Sequence, residues 1–215
     1  MSTLANAAVD RREVGLWTMV LAVGTTVLAA SVLAVGYATS WGGAFNPAQS
    51  AAALPAAATG VDHIALTIVL GPKGPAYVPA NFTVPAHATV VVSIMNFDGS
   101  TPLTPALASH ARVTGTVGGT MTERPLNPDN PNAAAGPGRA LRTVGPQLVS
   151  HTFTVPALGL NVPVLGQSVT TFTIHTGKAG QYPWQCFDPC GDGPTGWAGP
   201  MADAGFMRGT LTVAA

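Results

Sequence analysis

No charged residue occurs between Glu13 and Asp62, and this gap divides the chain into two parts with different physics. Within it, residues 16–37 are apolar apart from small Gly, Thr and Ser residues. A helix rises about 1.5 Å per residue, so a stretch of this length crosses a hydrocarbon core of roughly 30 Å. Trp17 stands near one end and Tyr37 and Trp41 near the other, where amphipathic rings favour the membrane interface. Arg11 and Arg12 precede the stretch, which places the N-terminus in the cytoplasm. The expectation is a cytoplasmic segment at 1–15, a transmembrane helix at 16–41, a linker at 42–61 rich in Ala, Pro and Gly, and a domain at 62–215. That domain is expected to be extracytoplasmic, held at the cell membrane by a single pass. The alternative is a cleaved signal peptide, whose apolar core runs to only about 7–15 residues. Either way the domain is exported.

From Asp62 onward the pattern is one of short strands. A β-branched run at 63–70, a more polar run at 77–84 and a nearly continuous Val/Ile run at 89–95 are closed by Gly71-Pro72, Pro85 and the turn Asn96-Phe97-Asp98-Gly99. Further strands are expected at 147–155, 168–175, 181–186 and 206–213. Residues 100–146, interrupted by seven prolines, read as a mostly irregular insertion with a short strand around 111–117. Gly 25 and Pro 19 are high counts, but with strands between the turns they point to an all-β Greek-key sandwich rather than to disorder. Charged residues make up 8% of the chain, 9 basic against 9 acidic, which excludes the basic face a nucleic-acid partner needs. There is no phosphate-binding glycine loop, Gly-x-Ser-x-Gly elbow or HExxH motif, so the chain does not read as an enzyme acting alone.

Alternation along the strands shows which chemistry faces inward. His151, Phe153 and Val155 share one apolar face, and Tyr182, Trp184 and Cys186 share another. Met207, Gly209, Leu211 and Val213 form the inner row of the last strand. His175 faces outward, and His63, His87 and His110 read as surface or turn residues. The only cysteines, Cys186 and Cys190, lie four apart at the mouth of a Gly/Pro loop. In an oxidising compartment they can close as a disulfide. With an imidazole they can instead form a soft donor set that selects copper over hard cations. Met201, beside them in the loop, is the thioether candidate. Asp188, Asp192 and Asp203 make this loop acidic, a feature that can orient a basic redox partner.

Two stretches carry a family resemblance. Val149-Ser150-His151-Thr152-Phe153-Thr154-Val155-Pro156 resembles the strand bearing the first copper histidine in subunit II of haem-copper oxidases. The segment from Gly180 through Tyr182, Cys186, Cys190 and Gly191 resembles the same family's Gly-x-Tyr-x-x-x-Cys-x-x-x-Cys-Gly, which supplies both thiolates of its CuA copper centre. The resemblance implies a cupredoxin-like domain and a metal site drawn from His151, Cys186, Cys190, Met201 and Asp188. Asp188 stands where the family has a Glu whose backbone carbonyl touches copper. Residues 62–215 fall within the likeness, but only 151–191 are specific to it. Beyond them the chain departs from the pattern: the family's second histidine and its methionine fall at Pro194 and Trp197, and no histidine follows His175. Three functions follow: a copper-binding electron-transfer module, a copper-free subunit closed by a Cys186–Cys190 disulfide, or a copper carrier. The partners implied are a respiratory oxidase-type complex or a small redox protein.

Overall fold

The computed structural model describes residues 61–215, so the segments expected at 1–15 and 16–41, and all but the last residue of the linker, lie outside the described residues. No helix among the described residues is long and apolar enough to cross a membrane. Twelve strands follow in order: β1 (Val61–Gly71), β2 (Gly74–Val78), β3 (Asn81–Pro85), β4 (Thr89–Asn96), β5 (Met121–Asn127), β6 (Asn130–Ala134), β7 (Arg139–Leu141), β8 (Val149–Val155), β9 (Leu160–Leu165), β10 (Ser168–His175), β11 (Gly180–Gln185) and β12 (Arg208–Ala214). They form two sheets. One runs β2-β1-β4-β10-β5-β6 with β7 also on β5, and the other runs β3-β12-β11-β8-β9. β1 lies parallel to β4 and β3 parallel to β12, while the remaining pairs are antiparallel.

The all-β sandwich expected from the turn pattern is therefore present, and its inner rows follow the alternation. Phe172, Ile174, Leu211 and Val213 are buried, whereas His175 is exposed. Tyr77, Phe153 and Trp184 form the centre of the core, with Trp184 at 4.8 Å from Tyr77 and 5.3 Å from Phe153 between ring centroids. The polar tips find partners, as burial requires. Trp184 Nε1–H donates to the Ala80 carbonyl at 2.8 Å, and Tyr77 Oη–H donates to the Thr152 carbonyl at 3.1 Å.

Three expectations need correction. The single strand at 77–84 is two strands in different sheets, because β2 pairs with β1 whereas β3 pairs with β12. Residues 79–80, Pro and Ala, carry the chain across, so one strand-like stretch conceals a change of layer. The insertion holds more strand than the one short piece expected, since β5, β6 and β7 extend the first sheet. Glu123 on β5 is buried because its carboxylate accepts two bonds from the Arg139 guanidinium on the adjacent β7, at 2.9 and 3.0 Å. The short strand at 111–117 is absent. A 3-10 turn, Pro105–Ala111, and single bridges at Arg112 and Thr114 stand there. β9 was not expected, for its Pro163 argues against a strand. It is an edge strand, paired only with β8, where a missing N–H is tolerated.

Candidate metal centre

β8 supplies the imidazole. All seven of its residues are buried, including the hydroxyl-bearing face at Ser150, Thr152 and Thr154, which the pattern alone left outside. The insertion covers that face. Thr154 Oγ1–H donates to Asn161 Oδ1 at 2.7 Å, and Asn161 Nδ2 in turn donates to the carbonyls of His110 and Arg112. A bulge between Val149 and His151 shifts the register against β9, a device that re-aims side chains beside functional sites.

The sulfurs come from the end of β11 and the loop that follows. β11 and β8 pair only at Gln185 and Thr154, and beyond that point side chains replace the ladder. Thr152 N–H donates to Cys186 Sγ at 3.3 Å, Phe187 N–H donates to Thr152 Oγ1 at 2.7 Å, and Cys186 N–H donates to the Met207 carbonyl at 2.8 Å. The loop then folds on itself. Cys190 N–H reaches the Asp188 carbonyl and Gly191 N–H the Gly196 carbonyl, both at 2.8 Å, while Asp192 and Ala198 form a bridge. Gly196, at φ +70°, leaves no room for a Cβ against the Pro189 carbonyl, so this closure requires glycine. Met201 enters from a 3-10 turn, Gly199–Met201, and is buried.

The result is a compact donor set. Ligand atoms of His151, Cys186 and Cys190 all lie within 4.8 Å of one another. His151 Nδ1 is 3.3 Å from Cys190 Sγ, the two sulfurs are 3.9 Å apart, and Cys190 S–H points to Met201 Sδ at 3.4 Å. On its far side the ring meets a carboxylate, with Nε2 at 3.1 Å from Asp98 Oδ2. The disulfide is not formed: both cysteines are free, and 3.9 Å is far beyond the roughly 2.05 Å of an S–S bond. Each sulfur has its own anchor, Cys186 on backbone N–H groups and Cys190 on His151 and Met201, which holds them as separate donors.

Charge is distributed unevenly across the set. Burial works against a charged His151, but the bond to Asp98 and the neighbouring Cys186 outweigh it and raise the imidazole to about 9. Burial likewise opposes a Cys186 thiolate. The proximity of Cys190 and His151 and the Thr152 N–H overcome this, so the thiol lies well below its ordinary value. Cys190 moves the other way, because a second anion beside the first thiolate is disfavoured and the site is largely dry. Asp98 is lowered by its bond to His151, against a burial effect, with help from Gly99 N–H. The pattern without metal is thus an imidazolium bonded to the Asp98 carboxylate on one side and facing the two sulfurs on the other, of which Cys186 is the one that ionises.

His151, Cys186, Cys190 and Met201 are brought together as the sequence proposed. Asp188 joins them through its backbone, its carbonyl lying 3.4 Å from Cys186 Sγ. Its side chain is buried with both carboxylate oxygens unpartnered, and burial together with the Cys186 charge pushes it up to about 7. Asp188 therefore adds nothing to an acidic surface, which leaves Asp192 and Asp203 exposed there. Pro194 is exposed and Trp197 half-buried against the core, so neither position replaces the histidine missing from the pattern. His63, His87 and His175 are exposed. His110 comes nearest in role: its ring stacks on Phe187 at 4.6 Å and 6°, and Asn161 holds its Nδ1 at 2.9 Å. Sequence reasoning missed Asp98, which reads simply as a turn residue, and Thr152, whose N–H and hydroxyl stitch the sulfur loop to β8.

The donors suit a soft metal. Two thiols and one imidazole converge with a thioether against Cys190, and among the described residues the only carboxylate touching them does so on the remote ring nitrogen. No family model matches the chain. No curated protein matches it. Solved structures do. They include auracyanin from the photosynthetic bacterium Roseiflexus castenholzii, 19% identical over 74% of this chain and 100% of that one, with a TM-score of 0.30. Rusticyanin from Thiobacillus ferrooxidans is 15% identical over 72% and 78%, with a TM-score of 0.31. A haem-copper terminal oxidase dimer is 12% identical over 93% and 99%, with a TM-score of 0.35. The likeness is one of fold alone and decides nothing about the site.

Proposed function

We propose that this chain is a cupredoxin-like copper protein that passes single electrons, anchored at the outer face of the cell membrane by the helix expected at 16–41. The observation that carries the copper reading is the convergence of His151 Nδ1 with the sulfurs of Cys186 and Cys190, with Met201 Sδ against Cys190. His151, Cys186 and Cys190 would hold the metal, with Met201 and the Asp188 carbonyl at its margin. Copper bound there would supply a one-electron couple at a site shielded from water. The chain's own residues do the rest. β8 keeps the imidazole in a fixed place, Thr152 and Asp188 N–H groups stabilise the Cys186 sulfur as an anion, and the buried Met201 excludes solvent. The two free thiols favour this reading over a disulfide-closed subunit. The resemblance of 151–191 to oxidase subunit II supports a respiratory oxidase-type complex or small redox protein as partner, and the uncharged stretch at 16–37 supports the membrane location.

The test is copper loading of the full chain, followed by visible and EPR spectroscopy. Thiolate-to-copper absorption lost in Cys186→Ser is the expected result, and the hyperfine pattern counts the coppers. Failure to retain copper under both reducing and oxidising conditions would sink the proposal.

A further inference from the structure

Asp98 lies outside the sulfur–imidazole set, yet it alone meets the side of His151 that faces away from the sulfurs. Its carboxylate is held in place by protein bonds. Asp98 N–H donates to Asn96 Oδ1 at 3.0 Å, Gly99 N–H donates to Asp98 Oδ1 at 2.7 Å, and Gln167 N–H donates to the Asp98 carbonyl at 2.9 Å. Asn96, fully buried at the end of β4, is locked in turn by its Nδ2 on the Leu165 carbonyl at 2.9 Å. Leu165 closes β9, and β9 pairs with the β8 that carries His151. Turn, edge strand and ligand strand thus form one closed frame. Within it Oδ1 is engaged by the turn, and Oδ2 is left facing Nε2.

An ionised carboxylate only accepts, so Nε2 must carry the hydrogen of that bond. Nδ1 is then the nitrogen that can release its proton and present a lone pair toward Cys190. The ring is 0% exposed, so no bulk water can substitute for the carboxylate. We infer that Asp98 is the positioning residue of this centre, fixing the orientation and tautomer of His151 so that Nδ1 is the metal-binding atom. The inference rests on the copper reading above, and it adds a residue that neither the motif nor the donor cluster contains. Outer partners of this kind orient the ligand and raise its basicity, and losing one typically costs about 10–100-fold in metal affinity.

The experiment compares the full-length wild type with Asp98→Asn and Asp98→Ala. Asparagine keeps a single acceptor oxygen for the two donors, Nε2–H and Gly99 N–H, whereas alanine removes both contacts. Cu(I) affinity is measured by competition with a chromogenic chelator, and the Cu(II) form is followed by its thiolate band and EPR hyperfine splitting. A loss of about 10–100-fold in Asp98→Ala, a smaller loss in Asp98→Asn and a shifted spectrum in both are expected. Wild-type affinity and spectrum in Asp98→Ala would overturn the inference. If the wild type itself takes up no copper, the copper reading falls, and NMR of histidine-labelled metal-free protein decides the positioning role. A slowly exchanging Nε2–H of His151, present in the wild type and lost in Asp98→Ala, upholds it. Its absence from the wild type, or its persistence in Asp98→Ala, refutes it.

Discussion

The two halves of the candidate centre are held in different ways. β8 is a fully buried strand with neighbours on both edges and side chains covered on both faces, so His151 is part of the core. Residues 186–201 form a loop with exposed polar turns, fastened by a handful of backbone bonds and by sulfur contacts. The imidazole is fixed by the fold, whereas Cys186 Sγ is held by the N–H groups of Thr152 and Asp188 and Cys190 Sγ by His151 and Met201. A metal there would bring its stability mainly to the loop, since the strand already has what it needs.

That contrast can be broken experimentally, beginning with the largest effect. Cys186→Ser should abolish thiolate–copper absorption while leaving the far-UV circular dichroism of the sandwich in place, and loss of the fold as well would show that the loop is part of the scaffold. Phe153→Ala, on the same inner row as His151, should cost about 3–5 kcal/mol by the removal of a ring packed among Tyr77, Phe82, Phe172 and Trp184. Urea unfolding of the metal-free protein measures it. Gly196→Ala should cost about 1–3 kcal/mol through its left-handed backbone and the Pro189 carbonyl. Its imprint should be clearer on copper affinity than on the midpoint of global unfolding, the reverse of Phe153→Ala.

The remaining two sharpen the comparison on the loop side. Asp188 is raised from 3.8 to about 7, so its folded state favours the proton. This group therefore contributes a loss of stability to the metal-free wild type as pH climbs from about 4 to about 7, and its own penalty is constant above that. Asp188→Asn removes the penalty. Its advantage over the wild type in urea unfolding should grow through that window to a few kcal/mol at most, on a scale of about 1.4 kcal/mol per tenfold in proton affinity. An advantage independent of pH would mean that the carboxyl is not desolvated. Met201→Leu, nearly volume-conserving, should cost less than about 1.5 kcal/mol yet shift the copper spectrum if the thioether lies at the metal.

How much was legible depends on the range of the interaction that decided each feature. Alternation placed His151, Trp184 and Cys186 on inner rows correctly, because which face a side chain takes is a property of its own strand. It could not reveal that 77–84 changes sheets, since alternation within a strand carries no information about which layer it joins. The prolines of 100–146 concealed β5 to β7, and Pro163 concealed β9. Proline marks a missing donor, and only the position of a strand in its sheet decides whether that donor was needed. The cysteine pair left disulfide and metal-ready thiols open, because a spacing of four permits both until the anchors on each sulfur are known.

Composition, turn chemistry and period-two patterning were enough to specify an all-β sandwich with an imidazole and one sulfur on its inner rows and a second sulfur in the adjoining loop. Folding decided whether those rows end at the same place, and it brought in Asp98 from a turn 53 residues before His151. Such a contact leaves no trace in local pattern. It arises because β4 and β9 meet through Asn96 and Leu165, and sheet order, set by the packing of the whole core, is what brings them together.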